Sequence, residues 1–166
     1  MVDLAVRASH GLRMTVNTFS QFDRKSYFYP DLPMGYQITQ LFHPISEHGH
    51  LDAFVGDELK RFKIRRIHIE ADAGGSKHSV TKSLIDFNRA GSPLMEIVTE
   101  PDFRSKEDVL EYLKELQKIM RFVGASDADM EKGQLRCDVN ISLRPEGSHE
   151  LQNRVELKNL NSFQQI

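Results

Sequence analysis

I-R-R-I-H-I-E-A-D-A-G-G-S-K-H at residues 64–78, followed by S-L-I-D-F-N-R-A-G-S-P-L-M-E-I-V-T-E at 83–100, decides the fold. Three short strands are expected, over 64–72, 83–88 and 93–100. Side chains alternate between the two faces of a strand. In the first, Ile67, Ile69 and Ala71 therefore point one way and Arg66, His68, Glu70 and Asp72 the other. In the second, Ile85 and Phe87 lie opposite Asp86 and Asn88. In the third, Glu96 shares a face with Leu94 and Val98. A carboxylate between two aliphatic side chains is costly to bury unless a cation or a hydrogen-bond network satisfies it. A sheet with one solvated face explains any single strand of this kind. Carboxylates and amides recurring on one face of three successive strands point instead to a site.

Upstream of this stretch, residues 1–12 read as an amphipathic helix without a cap, with Leu4, Ala8 and Leu12 spaced by four. A strand is expected within 14–19. Residues 22–40, F-D-R-K-S-Y-F-Y-P-D-L-P-M-G-Y-Q-I-T-Q, hold two prolines, a glycine and five aromatics, which suits an ordered loop. Arg24, Lys25, Tyr36 and Gln37 are its members able to face a ligand. Residues 43–51 read as a turn, and His48 and His50 lack a third metal ligand nearby in sequence. The basic run 60–66 fits a solvated edge strand or a phosphate contact. Residues 73–77, A-G-G-S-K, fit a plain turn better than a phosphate-binding loop.

Downstream, Ser105 is expected to cap a helix, with Asp108 completing a capping box. Val109, Leu113, Leu116, Met120 and Val123 form its apolar stripe, and Gly124 ends it. Residues 134–144 alternate throughout. Leu135, Cys137, Val139, Ile141 and Leu143 are expected in the core, opposite Gln134, Arg136, Asp138, Asn140, Ser142 and Arg144. Residues 154–158 return as an antiparallel partner, with Val155 and Leu157 inward and Arg154, Glu156 and Lys158 outward.

The chain has 166 residues, 39% hydrophobic and 28% charged, enough for one domain or a compact pair. A net charge of −2 argues against a module that coats a nucleic-acid backbone. One cysteine, Cys137, rules out an intrachain disulfide and fits a reducing compartment. No apolar run approaches the roughly 20 residues that span a bilayer, so no membrane association is expected. No secretory signal is visible. The uncapped opening helix and the final N-S-F-Q-Q-I suggest a piece of a longer protein.

Five blocks in order, the 22–40 stretch, I-H-I-E-A-D-A-G, S-L-I-D-F-N-R-A-G-S-P-L-M-E-I-V-T-E-P-D, G-Q-L-R-C-D-V-N-I-S and E-L-K-N-L-N-S-F, closely resemble the GatB family, one of the subunits of the glutamyl-tRNA(Gln)/aspartyl-tRNA(Asn) amidotransferase. The resemblance implies an α+β fold: a mixed or antiparallel sheet with packed helices, in a cradle domain similar to glutamine synthetase and guanidino kinases. It implies that residues 1–166 are part of one such domain. The family's opening G-L-E-V-H strand, and its helical and tail domains that grip tRNA, would be missing.

The implied chemistry is that of a carbon–nitrogen ligase. ATP and magnesium phosphorylate the side-chain carboxylate of a glutamate or aspartate mischarged on tRNA, and ammonia from glutamine displaces the phosphate. The amidase of the complex and a small third component, or its fungal counterpart, would be partners, with the mischarged tRNA. Glu70 and Glu96 match the metal-bearing strands, with His68 as a neighbour. Asp86, Asn88, Arg136, Asp138, Asn140 and Lys158 would line the nucleotide and acyl-phosphate pocket, and Lys25 the ammonia channel. Many relatives read E-E-D-A-G-K-S where this chain has Glu70-Ala71-Asp72-Ala73-Gly74-Gly75-Ser76, so Gly75 replaces a lysine. The chain alone would be an incomplete, inactive core; the alternative is a non-catalytic scaffold that holds the amidase or tRNA. A guanidino-type kinase fits less well, because the R-C-D-V-N and F-D-R-K-S-Y-F-Y-P-D blocks argue against it. The divergent blocks suggest the mitochondrial matrix, with bacterial cytoplasm or plastid as alternatives.

Overall fold

The polar row of 64–72 sits on a strand longer than its alternation suggests. The computed structural model describes residues 1–160 and 162–166, with Asn159 by its backbone alone, so the E-L-K-N-L-N-S-F block includes one residue, Asn161, outside the described set. Two helices, α1 (Val2–Gly11) and α2 (Lys106–Phe122), accompany ten strands: β1 (Thr15–Val16), β2 (Asp23–Ser26), β3 (Tyr36–Thr39), β4 (Ser46–Val55), β5 (Glu58–Ala71), β6 (Gly75–His78), β7 (Ser83–Asp86), β8 (Pro93–Thr99), β9 (Cys137–Ser142) and β10 (Arg154–Leu160). The main sheet runs β1-β4-β5-β8, and β2-β3, β6-β7 and β9-β10 are separate hairpins. Every described ladder is antiparallel, so the fold is α+β with antiparallel sheets.

β5 is a central strand, which removes the solvated edge as a reading of 60–66. Phe62, Ile64, Ile67 and Ile69 are all buried in one core. Simple alternation would put 62 and 64 on the opposite face from 67 and 69. An irregularity resolves this: against β8, Ile64 pairs with Thr99 and Arg66 with Val98, leaving Arg65 as an extra residue. β4 does the same opposite it. Ser46 is buried, then Gly49, Leu51 and Ala53, and His48 between them takes a φ of 56°. Because both strands carry the extra residue, β4 and β5 stay in register with each other. A bulge of this kind re-aims the side chains on either side of it. This is why 43–51, read as a turn around His48-Gly49-His50, contains most of a strand.

The helices cover one face. Ser105 accepts from the Asp108 N–H at 3.1 Å, and the Asp108 carboxylate accepts from the Ser105 N–H at 3.2 Å, completing the expected capping box. Lys60 donates to the same carboxylate at 3.0 Å, tying the cap to β5. Leu113, Leu116 and Met120 are buried as expected, joined by Tyr112, whose ring packs edge-on against Phe62 and Phe103. Gly124, at φ +67°, follows the last turn. In α1 the inward residues are Ala5, Ala8 and Ser9, while Leu4 is only half-buried. Small residues let this helix lie close to the sheet. The strand expected in 14–19 is two residues long.

Three expectations fail for one reason: parts of the chain fold as hairpins rather than as a single sheet. The 22–40 stretch is not a loop throughout; β2 and β3 pair, with Lys25 opposite Gln37. β7 pairs with β6, not with β5, so Asp86 and Phe87 do not belong to the main sheet. β9 and β10 pair only with each other; Leu135 and Cys137 at the near end of the row pack against the core, but the far end of the apolar face stays open. Val139 and Cys137 are half-buried, Ile141 is 43% exposed and Leu143 79%. The alternation of 134–144 is real, but only its Leu135 and Cys137 end reaches the core; Ile141 and Leu143 do not.

Candidate metal centre

On β5 the bulge leaves His68 and Glu70 on the side away from the helices. β8 places Glu96 directly opposite His68. That side is not solvated, because the β2-β3 hairpin lies across it. Gln37 donates to Glu70 Oε2 at 3.2 Å and to the Ala71 carbonyl at 2.8 Å. Thr39 donates to Glu70 Oε1 at 2.7 Å. Gln40 replaces a strand neighbour: its side-chain oxygen accepts the Ile69 N–H at 3.0 Å, where β4 no longer runs alongside.

His68 is 2% exposed. Its Nε2 is 3.2 Å from Glu70 Oε1 and 3.5 Å from Glu96 Oε2. A carboxylate oxygen only accepts, so Nε2 carries the hydrogen in this arrangement. Burial pushes the His68 pKa down, but the hydrogen bonds and charges of Glu70 and Glu96 outweigh burial and raise it. Burial likewise pushes the Glu70 carboxyl up; the bonds from His68 and Thr39 and the charges of His68 and Lys25 prevail and hold it below its ordinary value. His68 Nδ1 is buried without a hydrogen-bond partner among the described residues.

One donor atom from each of His68, Glu70 and Glu96 lies within 4.8 Å of the others. Two carboxylates and an imidazole suit a divalent cation, and the carboxylates in particular suit magnesium, which keeps waters and phosphate oxygens on its remaining positions. Glu96, with a 52% exposed side chain, leaves the cluster open to such ligands on one side. The donor set therefore fits magnesium. His68, expected only as a neighbour, stands in the same cluster; its Nε2 would have to give up its hydrogen to ligate a cation.

The other expected residues are distributed around this centre. Asp86 is exposed and accepts from the Asn88 N–H at 2.9 Å in the β6-β7 hairpin; it does not converge with Glu70 and Glu96, because its strand is not in their sheet. Asn88 is exposed in the following turn. Arg136 reaches the strand of the cluster by donating to Asp72 at 2.9 Å. Asp138, Asn140 and Lys158 are exposed on β9 and β10, and Lys158 lies 3.4 Å from Glu156. Lys25 stands over the Tyr27 ring at 5.8 Å. The sequence reading missed Thr39 and Arg89. The alternation of Gln37 and Thr39 in Y-Q-I-T was the available signal for the first; Arg89, in a turn, offered none.

The GatB/GatE catalytic domain family profile matches residues 1–166. The chain is 54% identical over 162 residues to the GatB protein of the aspartyl/glutamyl-tRNA(Asn/Gln) amidotransferase from Persephonella marina, covering 98% of this chain and 34% of that protein. It is 54% identical over 165 residues to the protein of the same name from Staphylococcus carnosus, covering 99% and 35%. For the Elusimicrobium minutum protein the identity is 55% over 165 residues, covering 99% and 34%. The chain thus spans about a third of the length of these curated relatives.

Proposed function

We infer, from the premise that the chain belongs to the GatB/GatE catalytic domain family, that it carries the cation site of the GatB component of an ATP-dependent tRNA amidotransferase. The substrate is a glutamate or aspartate mischarged on tRNA. Its side-chain carboxylate oxygen attacks the γ-phosphorus of ATP, and ADP leaves. Ammonia from glutamine then attacks the acyl carbon, and phosphate leaves with the carbon–oxygen bond. A carboxylate is a poor acceptor for ammonia and an acyl phosphate is a good one. Phosphoryl transfer asks the protein mainly for positioning and charge neutralisation.

The observation that carries this reading is the convergence of His68, Glu70 and Glu96 within 4.8 Å. These residues would hold magnesium, which neutralises phosphate charge when bound. Thr39 and Gln37 fix both oxygens of Glu70, so the carboxylate is aimed before any ligand arrives. Arg136 enters through Asp72, and Asp86, Asn88, Asp138, Asn140 and Lys158 enter as exposed groups on the adjoining hairpins. Lys25, whose charge Glu70 feels, belongs with the β2-β3 hairpin as the proposed ammonia route. The proposed partners are the amidase, a small third component and the charged tRNA, and the proposed domain is a cradle like that of glutamine synthetase. The relatives named above are bacterial, which argues against the mitochondrial matrix and favours a bacterial cytoplasm. No described helix is long and apolar enough to cross a membrane.

The test is single-turnover ADP release with Glu-tRNA(Gln) in the assembled enzyme, wild type against Glu96→Gln. The rate should fall by roughly two orders of magnitude, the scale of losing one electrostatic stabiliser. Glutamine hydrolysis should persist. A near-normal rate would remove Glu96 from the cation site.

A further inference from the structure

We propose, building on the phosphoryl-transfer reading above, that Arg89 and Arg136 form a paired-guanidinium site for phosphoryl oxygens, and that Asp72 is the positioning residue that brings them together. Asp72 is 8% exposed. Its Oδ2 accepts from Arg136 Nη2 at 2.9 Å and lies 3.1 Å from Arg89 Nη2. Two guanidinium groups thus converge on one oxygen atom. Their mutual repulsion is offset by that single buried carboxylate, which leaves an excess positive charge. Arg89 also donates to the Gly133 carbonyl at 3.3 Å. Both side chains remain half-exposed, 52% and 54%, and each guanidinium keeps donors that neither Asp72 nor Gly133 takes up. A planar fork with free N–H groups matches the oxygens of a phosphoryl group.

The backbone holds this arrangement from both sides. The Asp72 N–H donates to the Ser92 carbonyl at 2.8 Å, and the Asp72 carbonyl accepts from the Gly91 N–H at 2.8 Å. The turn that bears Arg89 is therefore fastened to the residue that Arg89 faces. Asp72 directly follows the end of β5, two residues beyond Glu70. A cluster suited to a cation and a pair suited to an anion thus follow one another along β5 and the residue after it. That is the order in which a metal-bound phosphate chain would meet them.

The probe is inorganic tripolyphosphate, which has the phosphoryl chain without the nucleoside. Its binding to the assembled protein is measured by calorimetry in excess chelator, so that no divalent cation contributes. Arg89→Gln and Arg136→Gln should each weaken binding roughly tenfold, the loss of a charge-assisted bidentate contact. Arg89→Lys, which keeps the charge and a partner for Asp72, should keep the melting temperature and lose only part of the affinity. Asp72→Asn should weaken binding although it removes a negative charge, because both arginines lose their anchor. Unchanged affinity in both glutamine variants would overturn the proposal, as would a lowered melting temperature with unchanged affinity, which leaves only a structural latch. Normal ADP release in Arg89→Gln alongside unchanged affinity would remove the pair and leave the phosphoryl-transfer reading standing. Failure of the Glu96→Gln test with tripolyphosphate binding still lost in Arg89→Gln would do the reverse.

Discussion

His68 and Glu96 are direct partners across β5 and β8, and Glu70, two residues further along β5, approaches the same imidazole nitrogen on which Glu96 converges. The cluster is set by strand register and not by a loop, so its geometry is as stiff as the sheet. Only Glu70 is also held from above, by the β2-β3 hairpin.

That hold can be cut selectively. Thr39→Val keeps the shape and removes the 2.7 Å donor to Glu70. Groups that orient a metal ligand typically contribute about 10- to 100-fold to affinity, so Mn²⁺ binding followed by electron paramagnetic resonance should weaken about tenfold. Undiminished binding would mean that Gln37 alone orients the carboxylate, or that Glu70 is no ligand.

Asp108 joins the cap of α2 to Lys60 on β5. Burial pushes its carboxyl up, but backbone N–H groups and Lys60 more than offset this and hold it below 3.8. Its contribution to stability is therefore complete well above that value and is lost as the pH falls through the folded-state pKa. Asp108→Asn should destabilise the fold by about 2 kcal/mol at neutral pH, and the gap from wild type should narrow as the pH drops below 3.8. Denaturant melts whose separation does not change with pH would contradict this.

The Tyr112 hydroxyl is buried and has no hydrogen-bond partner among the described residues, and burial drives its pKa far up. An unpaired buried hydroxyl is a liability, while the ring is central to the packing with Phe62 and Phe103. Tyr112→Phe should leave the melting temperature unchanged or raise it, by the equivalent of about 1 kcal/mol at most. A clear drop would reveal a partner for the hydroxyl.

Two apolar side chains of similar size should respond very differently. Leu116, 4% exposed, lies in the core, and Leu116→Ala should cost about 2–5 kcal/mol. Ile141, 43% exposed on the uncovered face of β9, should tolerate Ile141→Thr within about 0.5 kcal/mol. Comparable losses in chemical denaturation would place β9 under a cover that the structure does not contain.

What could be read from residues alone follows from what alternation encodes. It assigned His68, Glu70 and Glu96 to one side, since β5 and β8 are neighbours and regular in that region. It found α2 with its cap and stripe, because both signals are local. It could not report which strands pair. Asp86 alternates as well as Glu96 does, yet its strand turns back onto β6. Nor could it report what lies over a face. The polar row of β5 is covered by a hairpin that reads as an aromatic loop, and the apolar row of 134–144 is open beyond Cys137. Arg89 became visible only because a turn folds it onto Asp72.

The paired extra residues at His48 and Arg65 make the two halves of the central strands independent in parity. Counting from Phe62, strict alternation would send Ile67 and Ile69 outward and turn His68 and Glu70 into the helices. The additional position in β5 reverses the count, and the matching one in β4 keeps the two strands level. Loss of either residue alone would set the strands out of step by one. Loss of both would restore an unbroken alternation with every remaining side chain on its present face. The acids and the imidazole therefore owe their shared face to an arithmetic carried by two strands at once. In this part of the chain, a deletion in one strand should need its match in the other to keep the register.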